Sequence, residues 1–374
     1  MGADGEGLQM SEALVGGELS PVQPGEDEAH RIQKTVHPIR FTGSASEYFR
    51  IWIVNVFLSI LTLGIYSAWA KVRTKQYFYR STWLDGTSFE YLGDPIRILK
   101  GRLIAAAALG VLALSQHVST AVYFVVFFLL MLSLPWVIVK AVSFNAHNSA
   151  WRNVRFSFRG TTGQAAVEYV KGFLLSVVTL GLGMVWMNWN LKRFVFTNLS
   201  FGRHPFGFHA KVSDYYWIHI RASLAMAAVI VPFMVVAAIA SVVFASGASQ
   251  TGTVVSTTAL ALVMNAAVLI AISYINVQIA NLTWSSITVG DHQLHAHQKV
   301  REVLWLQITN VVAVLFSLGL AIPWARIRLH RYFLDHLKVR AVGALVAESE
   351  EAGGGVGAIG EGLGDLGGLG FDFG

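Results

Sequence analysis

A short motif recurs three times along this chain with the same internal spacing. In each copy a hydroxyl residue, Leu and Gly are followed by a Trp that lies seven residues after the hydroxyl residue. The three copies are Thr62-Leu63-Gly64 with Trp69, Thr179-Leu180-Gly181 with Trp186, and Ser317-Leu318-Gly319 with Trp324. Each copy is followed by a basic and aromatic stretch. Such regular recurrence predicts that the chain is built from copies of one structural element.

Two long stretches of the chain lack Asp, Glu, Lys and Arg, from Leu103 to Val139 and from Ala222 to Gly290. Charged residues make up 13% of the chain, against about 25% in an average soluble protein. Each stretch is long enough for two membrane crossings of about 20 residues. The sequence therefore predicts an integral membrane protein with two transmembrane hairpins.

The motif copies and the hairpins together predict the domain organisation. Each full repeat combines one motif segment with one transmembrane hairpin. We expect a disordered acidic arm over 1–36, the first repeat over 37–147, the second over 148–298, a truncated third over 299–343 and an acidic Gly-rich tail over 344–374. The tail has two interpretations, a flexible extension or a docking segment whose apolar residues and acids meet the basic body of the chain.

Short alternating patterns occur next to the predicted membrane segments. Polar and aromatic residues alternate at Ser88–Tyr91 and at Arg155–Phe158, as is typical of β-strands. We therefore predict an all-α multi-pass membrane protein made of helix-break-helix segments and two-span hairpins. Short β-like extensions would lie on its cytoplasmic side.

The path of each motif segment through the membrane has two interpretations. The mostly apolar run before each motif has only 13 or 14 residues, which is about 20 Å of helix against a hydrocarbon core of about 30 Å. A re-entrant segment that breaks at Leu-Gly would place all 28 bases on one side, as the positive-inside bias requires. The alternative is a set of seven crossings with inverted units. The charge distribution favours the re-entrant interpretation.

The motif residues have structural and functional interpretations. The Thr or Ser and the Gly could form a bend or could line a pathway, and the Trp residues are predicted to anchor at the membrane interface. Asn55 and Asn310 lie seven residues before their motifs, where an amide could join helices or contact a substrate. Eight bases are predicted to contact anionic lipid: Lys71, Arg73, Lys75, Lys192, Arg193, Arg326, Arg328 and Arg331.

Signatures of catalysis and cofactor binding are not found in the sequence. It lacks the fingerprints of hydrolases, P-loop proteins and dinucleotide-binding proteins. His292, His295 and His297 do not have the spacing of a helical metal-binding pair, and the chain has no Cys. We therefore predict no enzymatic activity, no catalytic residue, no cofactor and no metal site. Nucleic acid is not an expected partner, while anionic lipid is expected and homo-oligomers are left open.

The first motif copy also carries a family resemblance. The run Leu63 to Arg73, with Phe41-Thr42-Gly43 upstream and Tyr77-Phe78 downstream, resembles the signature of the YjgN-like family of bacterial inner-membrane proteins, a domain of unknown function. The likeness extends over nearly all of residues 38–343. Family members often have Pro before the Trp, which only Pro323 retains here; Ala68 and Val185 depart from that pattern. The resemblance implies a multi-pass protein of the bacterial inner membrane, and it implies no substrate or reaction.

Two functions from different classes are consistent with these patterns. The broken polar segments between long hairpins favour a transporter or channel for a small solute or lipid. The alternative is a membrane scaffold or lipid-organising protein that binds anionic headgroups. In both cases we expect the two termini to be cytoplasmic.

Overall fold

The computed structural model describes residues 34–245 and 250–342, which form ten helices and eleven strands. The helices are α1 (Ala45–Leu61), α2 (Ser67–Arg80), α3 (Pro95–Val118), α4 (Thr120–His147), α5 (Thr162–Val178), α6 (Gly183–Thr197), α7 (Val212–Ala245), α8 (Gln250–Ser285), α9 (Val300–Phe316) and α10 (Ile322–Asp335). The strands are β1 (Lys34–Pro38), β2 (Arg40–Phe41), β3 (Thr82–Leu84), β4 (Thr87–Tyr91), β5 (Ser149–Trp151), β6 (Val154–Phe158), β7 (Leu199–Phe201), β8 (His204–Phe208), β9 (Ile287–Val289), β10 (His292–Ala296) and β11 (Leu337–Val342). Most of the predicted acidic arm and the whole acidic tail lie outside the described residues.

The strands form one antiparallel sheet, so the prediction of an all-α protein with isolated β-like extensions is wrong. The eleven strands follow the order β1-β11-β10-β9-β8-β7-β6-β5-β4-β3-β2. The alternating patterns in β4 and β6 did mark strands, but each strand pairs with a partner from the next part of the chain. Local patterns reveal a strand, whereas the pairing of strands depends on contacts far apart in sequence.

The sheet closes on itself through a single bent segment. Its two ends are β1, which pairs with β11, and β2, which pairs with β3. Only Ile39 separates β1 from β2. The two edges of the sheet are therefore consecutive in the chain, and the strands form a near-barrel without a long free edge.

Five helical hairpins rise from this ring, and they alternate between two lengths. The hairpins α3–α4 and α7–α8 contain the four helices that are long and apolar enough to cross a membrane. The other three hairpins, α1–α2, α5–α6 and α9–α10, contain the motif copies. Neighbouring hairpins contact each other all round, and α10 returns to α1. The helices thus form a second ring above the sheet.

The motif forms the tight connection inside each short hairpin. In the first copy Leu63 has a φ of 51° and Gly64 a φ of 90°. The Gly64 N–H donates to the Ser59 carbonyl at 2.7 Å, which completes a Schellman-type helix end. The Thr62 hydroxyl donates to the Leu58 carbonyl and accepts from the N–H of Tyr66, so it joins the end of α1 to the start of α2. The second copy repeats these bonds, and the third differs only in that the Ser317 hydroxyl donates to the Val314 carbonyl, three residues before it.

The tips of these three hairpins are apolar and open to their surroundings. The Leu of each motif is 94–96% exposed in the described structure. Water would penalise this exposure, whereas the hydrocarbon of a membrane would not. With 17 residues in α1, each motif hairpin extends about 25 Å from the sheet. The re-entrant path, in which the tips insert into the membrane and turn back, stays a prediction.

Aromatic side chains fill the inside of the sheet ring. Phe89, Trp151, Phe201, Phe156 and Phe206 form a chain of ring contacts with centroids 4.9–6.2 Å apart. They belong to a core cluster that also takes in Leu337, Val339 and Ala341, the alternate residues of β11. The ring is therefore a packed core rather than an open pore.

Candidate functional site

A large central cavity lies between the helical hairpins, above the aromatic core of the sheet. Its volume is about 1450 Å³. The second helix of every hairpin contributes to the lining, namely α2, α4, α6, α8 and α10, which we call the inner helices. Phe78, Trp284 and Phe333 belong both to the lining and to the aromatic core or its margin. The sheet end of the cavity is therefore closed.

The five inner helices line the cavity with residues at equivalent positions, counted back from the strand that follows each helix. Each helix ends two residues before its following strand begins. In four of them the lining includes residues at positions i, i+3, i+4 and i+7, which form one helical face. These faces are Lys71, Thr74, Lys75 and Phe78; Asn188, Leu191, Lys192 and Val195; Asn276, Ile279, Ala280 and Thr283; and Arg326, Leu329, His330 and Phe333. The fifth, in α4, contributes Ile138, Ala141 and Val142 at the matching positions.

One level of this lining carries three equivalent basic residues. Lys75, Lys192 and His330 each lie six residues after the motif Trp and seven before the next strand. The corresponding residues of α4 and α8, the inner helices of the two long hairpins, are Val142 and Ala280. The three motif hairpins therefore supply nitrogen groups at one depth, and the two long hairpins supply apolar side chains at the same depth.

The two lysines at this level make analogous bonds to the next inner helix. Lys75 Nζ donates to Asn145 Oδ1 at 2.7 Å, and Lys192 Nζ donates to Thr283 Oγ1 at 3.2 Å. Lys192 also lies 5.7 Å from the centre of the Tyr215 ring. Because burial disfavours the charged ammonium, it lowers the pKa of Lys192 to about 8.

His330 occupies the same position but has an apolar neighbour. The residue that matches Asn145 and Thr283 on the next inner helix is Phe78, whose ring lies 4.8 Å from the His330 ring in an edge-on arrangement. His330 is 6% exposed, and its Nε2 atom has no hydrogen-bond partner. Burial lowers the pKa of His330 to about 3, so the ring is neutral at physiological pH.

The remaining polar lining is also basic or neutral. Lys71 and Arg326 lie four residues before Lys75 and His330, and Arg102 enters from α3. Asn55 is buried, donates to the Ala70 carbonyl at 3.3 Å and leaves its Oδ1 atom without a partner. Among the described residues that line the cavity, none is Asp or Glu. The cavity therefore has a positive electrostatic character.

The structure divides the eight bases predicted to contact lipid into two groups. Lys71, Lys75, Lys192 and Arg326 line the cavity. The other four lie outside its lining: Arg73 donates to the Tyr66 hydroxyl, Arg193 lies over the Trp189 ring, Arg328 lies over the Trp324 ring, and Arg331 donates to the Gly43 carbonyl. Their contact with anionic lipid stays a prediction.

The motif residues lie at the hairpin connections or in the first turn of the helix that follows, and outside the described cavity lining. This holds for Thr62, Gly64, Trp69, Thr179, Gly181, Trp186, Ser317, Gly319 and Trp324. Of the predicted pathway residues, Asn55 lines the cavity. Asn310 donates to the Ala325 carbonyl at 3.2 Å, the same cross-helix bond that Asn55 makes to Ala70. The bonds of the motif residues are those of a structural bend, and a pathway role for these residues stays a prediction.

Sequence reasoning did not single out Arg102, His330 or Gln307 as site residues, although all three line the cavity. A signal for His330 was present, because it has the same spacing from its Trp as Lys75 and Lys192. That signal is visible only when the three copies are compared residue by residue beyond the Trp.

Comparison with known proteins identifies the family. The family model described as a bacterial protein of unknown function, DUF898, matches residues 36–366. The chain is 25% identical over 352 residues to the inner membrane protein YjgN of Salmonella typhimurium, which covers 81% of this chain and 88% of that protein. It is 31% identical over 155 residues to the inner membrane protein YjgN of Escherichia coli K12, covering 40% of this chain and 37% of that protein. No solved structure matches. The chain belongs to the DUF898 family of bacterial proteins of unknown function.

Proposed function

We propose that this protein is a non-enzymatic carrier that moves a small solute or lipid through its central cavity in the bacterial inner membrane. The observation that supports the proposal best is the cavity of about 1450 Å³, which is surrounded by the inner helices of all five hairpins. That volume exceeds the roughly 300–1,000 Å³ of ordinary ligand pockets. The three similar motif hairpins are consistent with an internally repeated transport unit.

The closed sheet end favours a carrier over an open channel. Aromatic side chains such as Trp151 and Phe201 fill the ring below the cavity. A solute that crosses along the axis would have to displace this packed layer, so passage requires a conformational change or a lateral exit between hairpins. Carriers bind their substrate in a central site and then change access to it.

The arrangement also supports the re-entrant topology. The ends of all five hairpins join the same sheet, which supports an arrangement with every described strand on one side of the membrane. The connection between α3 and α4 lies at the opposite end and has no Lys or Arg. Under the positive-inside bias the sheet and both termini are cytoplasmic.

A flux assay in proteoliposomes tests the carrier proposal. The probes are fluorescent phosphatidylglycerol, whose movement between leaflets dithionite reveals, and radiolabelled inorganic phosphate, whose uptake is counted. We expect the protein to accelerate the movement of at least one probe. Ala280→Phe places a ring in the cavity lining and should reduce that rate tenfold or more.

The matched control is Ala113→Phe, because Ala113 is exposed on α3 and does not line the cavity. It should leave the rate unchanged. Equal loss in both variants, or no flux of either probe by the wild type, would remove the support for a carrier.

The scaffold function remains a second candidate because some bases lie on the outer surface. Arg193 is exposed and lies 5.4 Å from the centre of the Trp189 ring, where a headgroup could reach it. A scaffold would bind anionic vesicles without moving either probe, and Arg193→Gln would weaken that binding.

A further inference from the structure

The charged side chains in the described lining of the central cavity are all basic. Five basic side chains line it, namely Lys71, Lys75, Arg102, Lys192 and Arg326. The described lining contains no carboxylate. Because like charges repel and buried ions are costly, such a lining is stable only with compensating negative charge or polar contacts.

Lys192 is the lining base whose described contacts leave the clearest room for an anion. Its ammonium group contacts a hydroxyl oxygen, Thr283 Oγ1, and the face of the Tyr215 ring. No described Asp or Glu lies within ion-pair distance of it. An ammonium group has three donors, and the single hydroxyl accepts from one of them. Lys192 can therefore donate to a further acceptor that enters the cavity.

The basic groups lie at two depths. Lys75 and Lys192 occupy the lower level, and Lys71 and Arg326 lie one helical turn higher, about 6 Å farther from the sheet. They come from three different inner helices, so they approach the cavity from several sides. A group with several charged oxygen atoms can interact with more of them than a single carboxylate can, and a phosphate group supplies such oxygens.

We propose that the cavity is a binding site for a phosphate-type anion, with Lys192 as its principal cation and Lys75, Lys71 and Arg326 around it. The anion is either the headgroup of an acidic phospholipid or a free phosphate compound. The inference rests on the proposed function because it specifies the substrate class of that same cavity. It gives the inward-facing bases a role that differs from contact with the membrane surface.

Ligand-dependent thermal stability of the full chain in neutral detergent tests this site. The probes are dihexanoyl phosphatidylglycerol, dihexanoyl phosphatidylcholine and potassium phosphate, each compared with potassium chloride at equal ionic strength. A ligand that binds the folded state raises the melting temperature in a concentration-dependent manner. We expect saturable stabilisation by phosphatidylglycerol or phosphate, and none by phosphatidylcholine.

Two adjacent residues of α6 supply the decisive comparison. Lys192→Met should weaken the apparent affinity tenfold or more, because it removes the principal cation of the site. Arg193→Gln should change the affinity less than twofold, because Arg193 is exposed and outside the lining. Lys192→Met also removes a partly buried charge, so the stability of this variant without ligand should be maintained or increased. Arg326→Gln, on another inner helix, is a second cavity variant that should also weaken binding.

The probes separate the two sources of the anion. Stabilisation by phosphatidylglycerol but not by phosphate supports a lipid headgroup, and equal stabilisation by phosphate supports a free compound. Equal stabilisation by phosphatidylcholine, or equal weakening by Arg193→Gln, would overturn the anion site. If Lys192→Met weakens binding but the wild type moves neither probe, the anion site is supported and the carrier function is overturned. If the wild type moves a probe and Lys192→Met moves it equally fast, the carrier function is supported and the anion site is overturned.

Discussion

At the scale of single residues, Lys192 and His330 show how one position in a repeated helix is adapted to different neighbours. Both lie seven residues before a strand and line the cavity. Lys192 meets the Thr283 hydroxyl, whereas His330 meets the Phe78 ring. A neutral imidazole costs less beside an aromatic ring than an ammonium group would, because only the ammonium must lose the hydration of a full charge. This difference gives a reason for His at the third copy.

The lowered pKa of Lys192 predicts a dependence of stability on pH. In the unfolded chain a Lys side chain titrates near 10.5, and burial lowers the pKa of Lys192 to about 8 in the folded protein. Below pH 8 both states are protonated, and the folded state carries the full cost of burying the charge. Between about pH 8 and 10.5 the unfolded state binds more protons, so the Lys192 contribution to stability rises with pH.

We therefore expect Lys192→Met to melt above the wild type at pH 7, by an amount corresponding to at most about 3 kcal/mol. This gap should become smaller as the pH is raised to 10. The measurement is the melting temperature in neutral detergent across this pH range. Arg193→Gln is the control and should keep a constant difference from the wild type. A gap for Lys192→Met that does not change with pH would contradict the assignment of the buried charge.

At the scale of structural elements, the three motif loops require a glycine for its backbone conformation rather than for space. Gly64, Gly181 and Gly319 have φ values of 90–96°. A Cβ atom would meet nothing within 4 Å at Gly64 and Gly181, and only the end of the Ile322 side chain at 3.7 Å at Gly319. Since residues with a Cβ atom rarely adopt such φ values, even Ala is strained there.

Gly64→Ala is consequently expected to destabilise the protein by about 1–2 kcal/mol, nearly as much as Gly64→Val. The matched control is Gly110→Ala in α3, where the residue is helical and nothing lies within 4 Å of the added Cβ atom. That change should be neutral or stabilising by up to about 1 kcal/mol. Thermal denaturation of each purified variant measures the effects. If Gly64→Ala melts with the wild type, the positive φ is not required.

The sequence predicted these elements better than it predicted their surroundings. The Leu-Gly break, the four apolar spans and the strands at β4 and β6 follow from local composition and periodicity. Lys75 and Lys192 were recognised as functional candidates but assigned to the membrane surface. A basic helical face is compatible both with contact to anionic headgroups and with the lining of a cavity. Which of the two this face contacts depends on how the helix packs against its neighbours, and no local sequence pattern reveals that packing.

At the scale of the whole molecule, the single sheet ring predicts that all turns between strands lie on the same side of the membrane. Gly202 and Arg203 lie in the β7–β8 turn on the sheet side, and Gln116 lies near the end of α3 on the opposite side. Because the chain lacks Cys, a cysteine can be placed at either position and tested with an impermeant thiol reagent on intact cells. We expect labelling at Gln116→Cys only.

Permeabilised cells provide the control, and both variants should then be labelled. Labelling of Arg203→Cys in intact cells would place the β7–β8 turn outside the cytoplasm. That result would be incompatible with a ring in which all strands pair on one side, and it would support the inverted arrangement of seven crossings.

Closure of the sheet through Ile39 also has a consequence for biosynthesis. β1 emerges from the ribosome first, yet its partner β11 contains Leu337 to Val342 and emerges after the last helical hairpin. Every other strand pairing can form as soon as the next hairpin has been made, but the final seam must wait for nearly the entire chain. Such long-range pairing is slow because it closes a very long loop. A ribosome that stalls before β11 would leave β1 and β10 as open edges, so incomplete chains are expected to be the form most exposed to aggregation and to quality-control proteases.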